Sequence, residues 1–213
     1  MKIEMGESLM QSYLKYEKGC LITQTNWKTA SDWIKNSNEA QKEFNKIKEN
    51  KEFSHLFGKM SFEQMLKQAE LDVIGISKDD VYMVEVAFHE QGLRYGKNDD
   101  EMKDIVCKKM LRAYLTWITY FNSYTCKVIF ATPKTTKQPK SKINECFNKL
   151  NNFCNHKKIE FHYLTNANFK KEILLPTLKH LDKDSDTSEL FLRSAKMLKI
   201  CKVMGSKNDR KNS

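Results

Sequence analysis

The spacing of hydrophobic residues along the chain predicts alternating helices and strands. Apolar positions three or four residues apart predict helices, and they occupy residues 7–17, 38–50, 61–69, 99–122, 143–154 and 190–201. Short apolar, β-branched and aromatic runs predict extended segments, and they occupy residues 20–27, 69–77, 80–89, 126–132 and 158–165. Ser61 begins its helix with the capping-box pattern Ser-Phe-Glu-Gln, which fixes where that helix starts.

The order of these elements predicts the fold class. The turn at 77–80 is short enough to join its two strands as an antiparallel hairpin. The helix over 99–122 and the apolar strand 126–132 then form a crossover. We therefore predict an α/β protein with a mixed central β-sheet and helices on both faces.

The same pattern predicts the domain organisation. Residues 1–181 form one α/β domain, and residues 182–205 hold an acidic linker and a C-terminal helix. The apolar side of that helix is expected at Leu190, Phe191, Met197, Leu198 and Cys201. Residues 206–213 form a polar, disordered tail. The last helix and the tail either decorate the domain or contact a second copy, as in a homodimer, or a partner protein.

Charge narrows the choice of partner. The chain has 37 Lys and Arg residues against 27 Asp and Glu, which gives a net charge of +10. A basic excess of this size favours a polyanion, and nucleic acid is the simplest candidate. The alternative is a lysine-rich and asparagine-rich chain whose charges are merely solvated.

Composition also predicts the compartment. No apolar run approaches the ~20 residues that span a membrane, and the N-terminus lacks the apolar core of a secretion signal. The six cysteines are widely spread with no CxxC pair, so we expect reduced, buried thiols. We therefore expect a cytoplasmic protein that does not interact with membranes.

Three carboxylates on two neighbouring predicted strands are the strongest chemical feature. Glu70 and Asp72 lie on the first strand and Glu85 on the second, among apolar residues. Residues two apart on a strand share a face, so we expect Glu70 and Asp72 to point the same way. Buried carboxylates are costly unless a cation compensates them. We expect a Mg²⁺ (or Mn²⁺) site here, with a sheet-edge network of ion pairs as the alternative.

The order of elements, with acids at these points, resembles the PD-(D/E)XK nuclease superfamily over roughly residues 6–165. Asp72 matches the first acid of its motif, and Glu85-Val86-Ala87 matches the acid-x-lysine triplet except that Ala87 stands in the lysine position. The resemblance implies a restriction-endonuclease-like core with extra N- and C-terminal helices.

The resemblance also implies a metal shell. Asp72, Glu85 and the carbonyl of Val86 would bind the metal, and Glu70 would complete the shell directly or through water. The family often adds an acid from its first helix, for which Glu7 and Glu17 are both candidates.

The missing motif lysine needs a substitute. Lys109 falls inside the apolar stripe of the helix over 99–122, whereas Lys108 lies on its outer face. A lysine in that stripe must reach water or a carboxylate. His89 shares the face of Glu85, one step beyond Ala87, and is the other candidate.

Several residues are candidate nucleic-acid contacts. The basic loop over 133–140 offers Lys134, Lys137 and Lys140 to phosphates, unless it is only a solvated turn. Gln91 and Tyr95 resemble the glutamine-and-tyrosine element of RecB-like members. Trp27 either contacts DNA or anchors the core.

The resemblance implies a metal-dependent endonuclease that hydrolyses phosphodiester bonds in DNA, with prokaryotic restriction or defence as the fold-level expectation. The alternative is a catalytically inactive nucleic-acid-binding or scaffold subunit on the same fold. An enzyme of the same chemistry that acts on RNA or in repair also stays open.

Overall fold

A computed structural model of the protein describes residues 4–29, 38–89, 91–154, 156–182 and 189–201. Its principal helices are α1 (Met5–Tyr16), α2 (Asn38–Glu49), α3 (Ser54–Phe57), α4 (Phe62–Lys67), α5 (Asp99–Tyr120) and α6 (Lys137–Phe153). The strands are β1 (Ile22–Lys28), β2 (Glu70–Ile76), β3 (Asp80–Val86), β4 (Thr125–Thr132) and β5 (Ile159–Thr165). The helical run after β5 consists of α7 (Asn166–Asn168), a π-helical segment (Phe169–Leu174), α8 (Leu175–Leu178) and a 3₁₀ segment (Lys179–Asp182), and α9 (Leu190–Ile200) is the last helix.

The strands form one mixed sheet in the order β1-β2-β3-β4-β5. The pairs β1–β2 and β2–β3 are antiparallel, and β3–β4 and β4–β5 are parallel. Parallel neighbours require a crossover connection, and α5 supplies it between β3 and β4 while α6 supplies it between β4 and β5. The prediction of an α/β fold with a mixed sheet is confirmed.

Each face of the sheet has its own core. The α5-side core holds residues of α2, α4, α5 and α6 together with Met83, Val128 and Phe161. The α1-side core holds residues of α1 and of the π-helical segment together with Val73, Val84 and Ile129. The alternating strand pattern of period two separates these two sets of side chains.

The helix α1 is pressed tightly onto the strands β2 and β3. A Cβ added at Gly75 would lie 2.9 Å from Leu14 Cδ1, and one added at Gly6 would lie 3.1 Å from Phe88 Cδ2. Both positions therefore need glycine for close approach of the backbone. The contact at Gly6 brings the N-terminal turn of α1 to the end of β3.

Ser61 caps α4 as predicted. Its Oγ accepts a hydrogen bond from Gln64 N at 3.1 Å, and Gln64 Oε1 accepts one from Ser61 N at 3.0 Å. The predicted hairpin of β2 and β3 is confirmed as well. The local sequence is therefore enough to predict where α4 begins and that β2 and β3 pair.

One secondary-structure expectation was wrong, and one helical run was missed. The helix α6 begins at Lys137, so Lys137 and Lys140 are helical and do not belong to a loop. The helical run over 166–182 was not predicted.

The expectation of six reduced, buried thiols was wrong for three cysteines. Cys107 of α5 and Cys146 of α6 form a disulfide, and Cys201 is free but exposed. The other three, Cys20, Cys126 and Cys154, are free and buried as expected. Cys107 and Cys146 lie 39 residues apart in sequence, and only the packing of the two helices brings them together.

The C-terminal helix α9 buries a different side from the one that its sequence predicts. Leu192 and Ala195 are its buried residues, whereas Leu190, Met197 and Leu198 are exposed. Most of the predicted linker and the whole of the predicted tail over 206–213 lie outside the described residues. Among the helices that the structure does describe, none is long and apolar enough to cross a membrane.

Candidate functional site

Asp72 and Glu85 lie beside each other at the open end of the β2–β3 hairpin, away from its turn. Val73 pairs with Val84, so the same register places Asp72 beside Glu85. The Glu85 side chain is buried, with Glu85 2% exposed overall. Asp72 Oδ2 accepts a hydrogen bond from Val86 N at 2.8 Å. The backbone at Val86 therefore holds the Asp72 carboxylate next to Glu85, as the hairpin predicts.

Lys109 reaches this site from α5. Its Nζ lies 2.5 Å from Glu85 Oε2, and 6.0 Å from the centre of the Tyr95 ring. A lysine in an apolar helical stripe needs a partner, and here Glu85 is that partner. Lys108 instead places its Nζ 5.6 Å from the centre of the Phe57 ring.

Burial is the main influence on the pKa values of Glu85 and Lys109. Burial raises the pKa of Glu85 to about 8, and the negative charge of Asp72 adds to the rise although Lys109 opposes it. Burial lowers the pKa of Lys109, but the charges of Glu85, Asp72 and Tyr95 outweigh burial and leave the pKa above its ordinary value. Both carboxyl groups lie beside the ammonium group of Lys109, whose side chain is 28% exposed, whereas the side chain of Glu85 is almost fully buried.

The raised pKa of Glu85 predicts a pH-dependent stability. The unfolded chain releases this proton near pH 4.5, whereas the folded protein keeps it to about pH 8. The stabilisation is complete below the lower value and is lost as the pH rises towards 8. Relative to Glu85→Gln, the wild type should lose up to about 1.4 kcal/mol of unfolding free energy per pH unit.

Urea unfolding between about pH 5 and pH 8 measures this difference. Lys109 keeps its proton in both states over this range, so it adds no slope. Glu160→Gln removes an exposed carboxylate of β5 and should follow the wild type. Parallel curves for the wild type and Glu85→Gln would show that Glu85 titrates normally.

Glu7 adds a third carboxylate from the first turn of α1. It is 8% exposed, and its Oε2 accepts a hydrogen bond from Asn26 Nδ2 at 2.9 Å. Burial raises the pKa of Glu7, and the charge of Asp72 raises it further. Glu17, at the opposite end of α1, lies 2.6 Å from His180 Nε2. Of the two first-helix candidates, the structure brings only Glu7 to Asp72.

Asn26 was not recognised in the sequence. It has a φ of +52°, in the left-handed region that asparagine tolerates better than most residues. Thr25 pairs with Val73 and Trp27 with Leu71, so this turn of the backbone lies opposite Asp72. The sequence of β1 does not indicate that Asn26 is left-handed, because the residues on both sides of it have the pattern of an ordinary strand.

The same irregularity separates Glu70 from its expected position. Leu71 and Ile74 pack in one core, so the strict alternation expected along β2 is interrupted near Asp72. Glu70 is exposed, and its Oε2 lies 3.3 Å from Lys28 Nζ on β1. The expected common face of Glu70 and Asp72 does not form, because alternation holds only in a regular strand.

His89, Gln91 and Tyr95 lie in the loop after β3. The ring of His89 meets that of Tyr95 edge to face with 5.6 Å between centres, and Tyr95 is half-buried beside Lys109. Gln91 is exposed. His89 therefore adjoins the acids only through Tyr95, whereas Lys109 contacts Glu85 directly.

Of the three candidate phosphate-binding lysines, Lys134 contacts this loop, and Lys137 and Lys140 lie in α6. Lys134 O accepts a hydrogen bond from Leu93 N at 3.0 Å, which fixes Lys134 against the loop after β3. Lys137 is exposed and Lys140 is half-buried in the first turns of α6. Trp27 is half-buried and packs on Tyr120 with 5.9 Å between ring centres, as a core anchor does.

The donor set fits a hard divalent cation chemically. Glu7, Asp72 and Glu85 offer carboxylate oxygens, which Mg²⁺ prefers, and burial raises the pKa values of Glu7 and Glu85. Within the ranges that the structure describes, no three His, Cys, Asp or Glu side chains are already arranged as a metal-binding group. Lys109 Nζ occupies Glu85 Oε2, so metal uptake would require a shift of this lysine.

The fold and the site define a mixed α/β protein with a buried lysine–carboxylate cluster at the end of its antiparallel hairpin. Comparison of the chain with family models, curated proteins and solved structures gave no match. A function for this chain is therefore inferred from its fold and from the geometry of the site.

Proposed function

We propose that this protein is a Mg²⁺-dependent or Mn²⁺-dependent endonuclease that hydrolyses phosphodiester bonds in DNA. The observation that carries the proposal is the 2.5 Å contact between Lys109 Nζ and Glu85 Oε2. It supplies a lysine beside the second motif acid, where Ala87 leaves the motif without one. A structural ion pair has no need of Asp72 and Glu7 beside it.

The arrangement of elements supports the same proposal. A helix, three antiparallel strands, a crossover helix and a parallel strand occur in this order as α1, β1, β2, β3, α5 and β4, with α2, α3 and α4 inserted between β1 and β2. This is the order that the PD-(D/E)XK resemblance implies for a restriction-endonuclease-like core. Asp72 near the start of β2 and Glu85 near the end of β3 lie where that resemblance places the acids.

The residues of the chain then take distinct roles. Asp72, Glu85 and the carbonyl of Val86 would hold the cation, with Glu7 completing the shell directly or through water. A bound divalent cation lowers the pKa of water and stabilises charge on the phosphate and the leaving oxygen. Glu85 must give up its proton to the solvent before it can act as a ligand.

Lys109 acts as a cation rather than as a base. Its pKa is raised above the ordinary value because the neighbouring acids outweigh burial, so it holds its proton at neutral pH. An ammonium group at this point positions Glu85 and can donate a hydrogen bond to the attacking water or to a phosphate oxygen. The net charge of +10 would hold the DNA backbone, with an affinity that falls as salt rises.

A nicking assay on supercoiled plasmid with Mg²⁺, with Mn²⁺ and with EDTA tests the proposal. We expect nicked and linear products with either metal and none with EDTA. DNA binding without cleavage in all three conditions would favour the rival function, a catalytically inactive nucleic-acid-binding subunit. One observation favours that rival, since Lys109 occupies the Glu85 oxygen that a metal would use.

Glu7 should matter for cleavage and Glu17 should not. Glu7→Gln removes a buried charge beside Asp72, so the cleavage rate should fall by roughly 10-fold to 100-fold, as for residues that support a metal site. Glu17→Gln is the matched control on the same helix, and it should cleave at the wild-type rate. Equal rates for the two variants would remove Glu7 from the site.

A further inference from the structure

Arg112 lies on the same face of α5 as Lys109. Residues three apart on a helix are neighbours, and the charge of Arg112 is close enough to Glu85 for the two to interact. Arg112 Nη2 donates a hydrogen bond to Gln68 Oε1 at 3.2 Å. Gln68 is the C-cap of α4, immediately before β2, so the guanidinium group lies beside the start of the strand that carries Asp72.

The guanidinium group has unused hydrogen-bonding capacity. Arginine carries five N–H donors, and its Nε is buried here without a hydrogen-bond partner among the described residues. Burial lowers the pKa of Arg112, and the charge of Glu85 only partly opposes this effect. A buried donor without a partner is rare in folded proteins, and the Nη donors that Gln68 does not use are the ones that a phosphate could reach.

Positive charge is also left uncompensated at this point. Lys108 and Arg112 are four residues apart on α5, and the charge of Arg112 adds to burial in lowering the pKa of Lys108. Neither side chain forms an ion pair with an acid in the part of the chain that the structure describes. Like charges at this spacing repel each other, and an anion bound beside them would relieve the repulsion.

We propose that Arg112 binds a backbone phosphate of the DNA strand beside the Glu7, Asp72 and Glu85 cluster. The role rests on the proposed nuclease function and adds a substrate-binding residue to it. A planar guanidinium group matches phosphate oxygens with two parallel hydrogen bonds. Its position one helical turn from Lys109 would fix where the strand lies relative to the acids.

DNA binding as a function of salt tests this role without any cleavage. Fluorescence anisotropy with a short labelled duplex in EDTA gives the dissociation constant at several salt concentrations. Arg112→Ala should weaken binding about tenfold and lower the slope of log K against log[salt] by about one. Arg193→Ala removes an exposed arginine of α9 and should change neither quantity.

A second variant and a modified DNA separate contact from folding. Arg112→Lys should keep the salt slope but lose several-fold in affinity, because lysine cannot make the paired hydrogen bonds. In a series of duplexes, a neutral methylphosphonate replaces one phosphate at a time. At the phosphate that Arg112 contacts, this replacement removes the effect of Arg112, so the wild type and Arg112→Ala should bind that duplex equally. Should Arg112→Ala fail to fold by circular dichroism, Arg112→Gln replaces it with the same expected values.

The outcomes distinguish this inference from the nuclease proposal. If the wild type cleaves plasmid while Arg112→Ala binds DNA like Arg193→Ala, the phosphate contact is wrong and the nuclease proposal stands. If binding depends on Arg112 while no metal supports cleavage, the nuclease proposal is wrong and the contact stands. A wild type that does not bind DNA would overturn both.

Discussion

Asp72→Asn and Glu85→Gln should each lower plasmid cleavage by about 100-fold or more, because each removes a charged ligand of the proposed metal. DNA binding in EDTA should be unchanged or slightly tighter. Asp72→Asn removes a negative charge that repels phosphate, Glu85→Gln replaces a carboxyl group whose pKa is about 8, and both leave the basic residues that hold the backbone untouched. Initial nicking rates with Mg²⁺ and anisotropy binding curves in EDTA measure the two effects separately.

Matched controls exist for both substitutions. Asp79→Asn changes an exposed turn residue next to the same hairpin, and Glu160→Gln changes an exposed residue of β5. Both should cleave at the wild-type rate. Cleavage by Asp72→Asn and Glu85→Gln at that rate as well would show that the chemistry lies elsewhere, whatever metal the reaction needs.

Lys109→Ala should lower turnover far more than Lys108→Ala, by about 100-fold for a group that stabilises charge in the transition state. The loss of Lys109 leaves Glu85 buried without its cation, so the pKa of Glu85 should rise further above 8. Alanine is a good helix former, so α5 itself is not at risk. Lys108 packs on Phe57 and contacts no acid of the site, so its removal should have a small effect.

The double variant Lys109→Ala/Glu85→Gln separates catalysis from stability. Above about pH 8, where the wild type holds Glu85 ionised beside Lys109, Lys109→Ala alone should cost up to about 3 kcal/mol of unfolding free energy, since the buried carboxylate loses its cation. Glutamine needs no cation, so the double variant should regain most of that stability while remaining inactive. Urea unfolding and nicking rates together decide the matter, and equal turnover of Lys109→Ala and Lys108→Ala would remove Lys109 from the mechanism.

The sequence correctly predicts features that depend on interactions between residues close together in the chain. Ser61 and Gln64 cap α4 because their spacing alone allows the two reciprocal hydrogen bonds. The hairpin of β2 and β3 follows from two strands separated by a short turn. Lys109 was expected to reach either water or a carboxylate because it lies in an apolar stripe, and it contacts the carboxyl group of Glu85.

Patterns that depend on distant packing were not readable. The helix α6 begins at Lys137, inside a lysine-rich stretch whose local sequence is typical of a loop. The left-handed Asn26 depends on the pairing of β1 with β2. Arg112 has no motif around it, and its buried Nε is a consequence of how α5 meets α4 and β2. The disulfide of Cys107 and Cys146 depends on the contact between α5 and α6.

The sequence by itself determined which segments are helices and strands around the hairpin, and that Asp72 and Glu85 lie side by side. These are consequences of side-chain periodicity and turn length, which act over a few residues. Only the tertiary structure decided that Glu7 rather than Glu17 joins them, that Glu70 turns to Lys28, and that Arg112 stands beside the acids. Such choices depend on how closely α1 and α5 pack against the two faces of the sheet, and no local pattern records that distance.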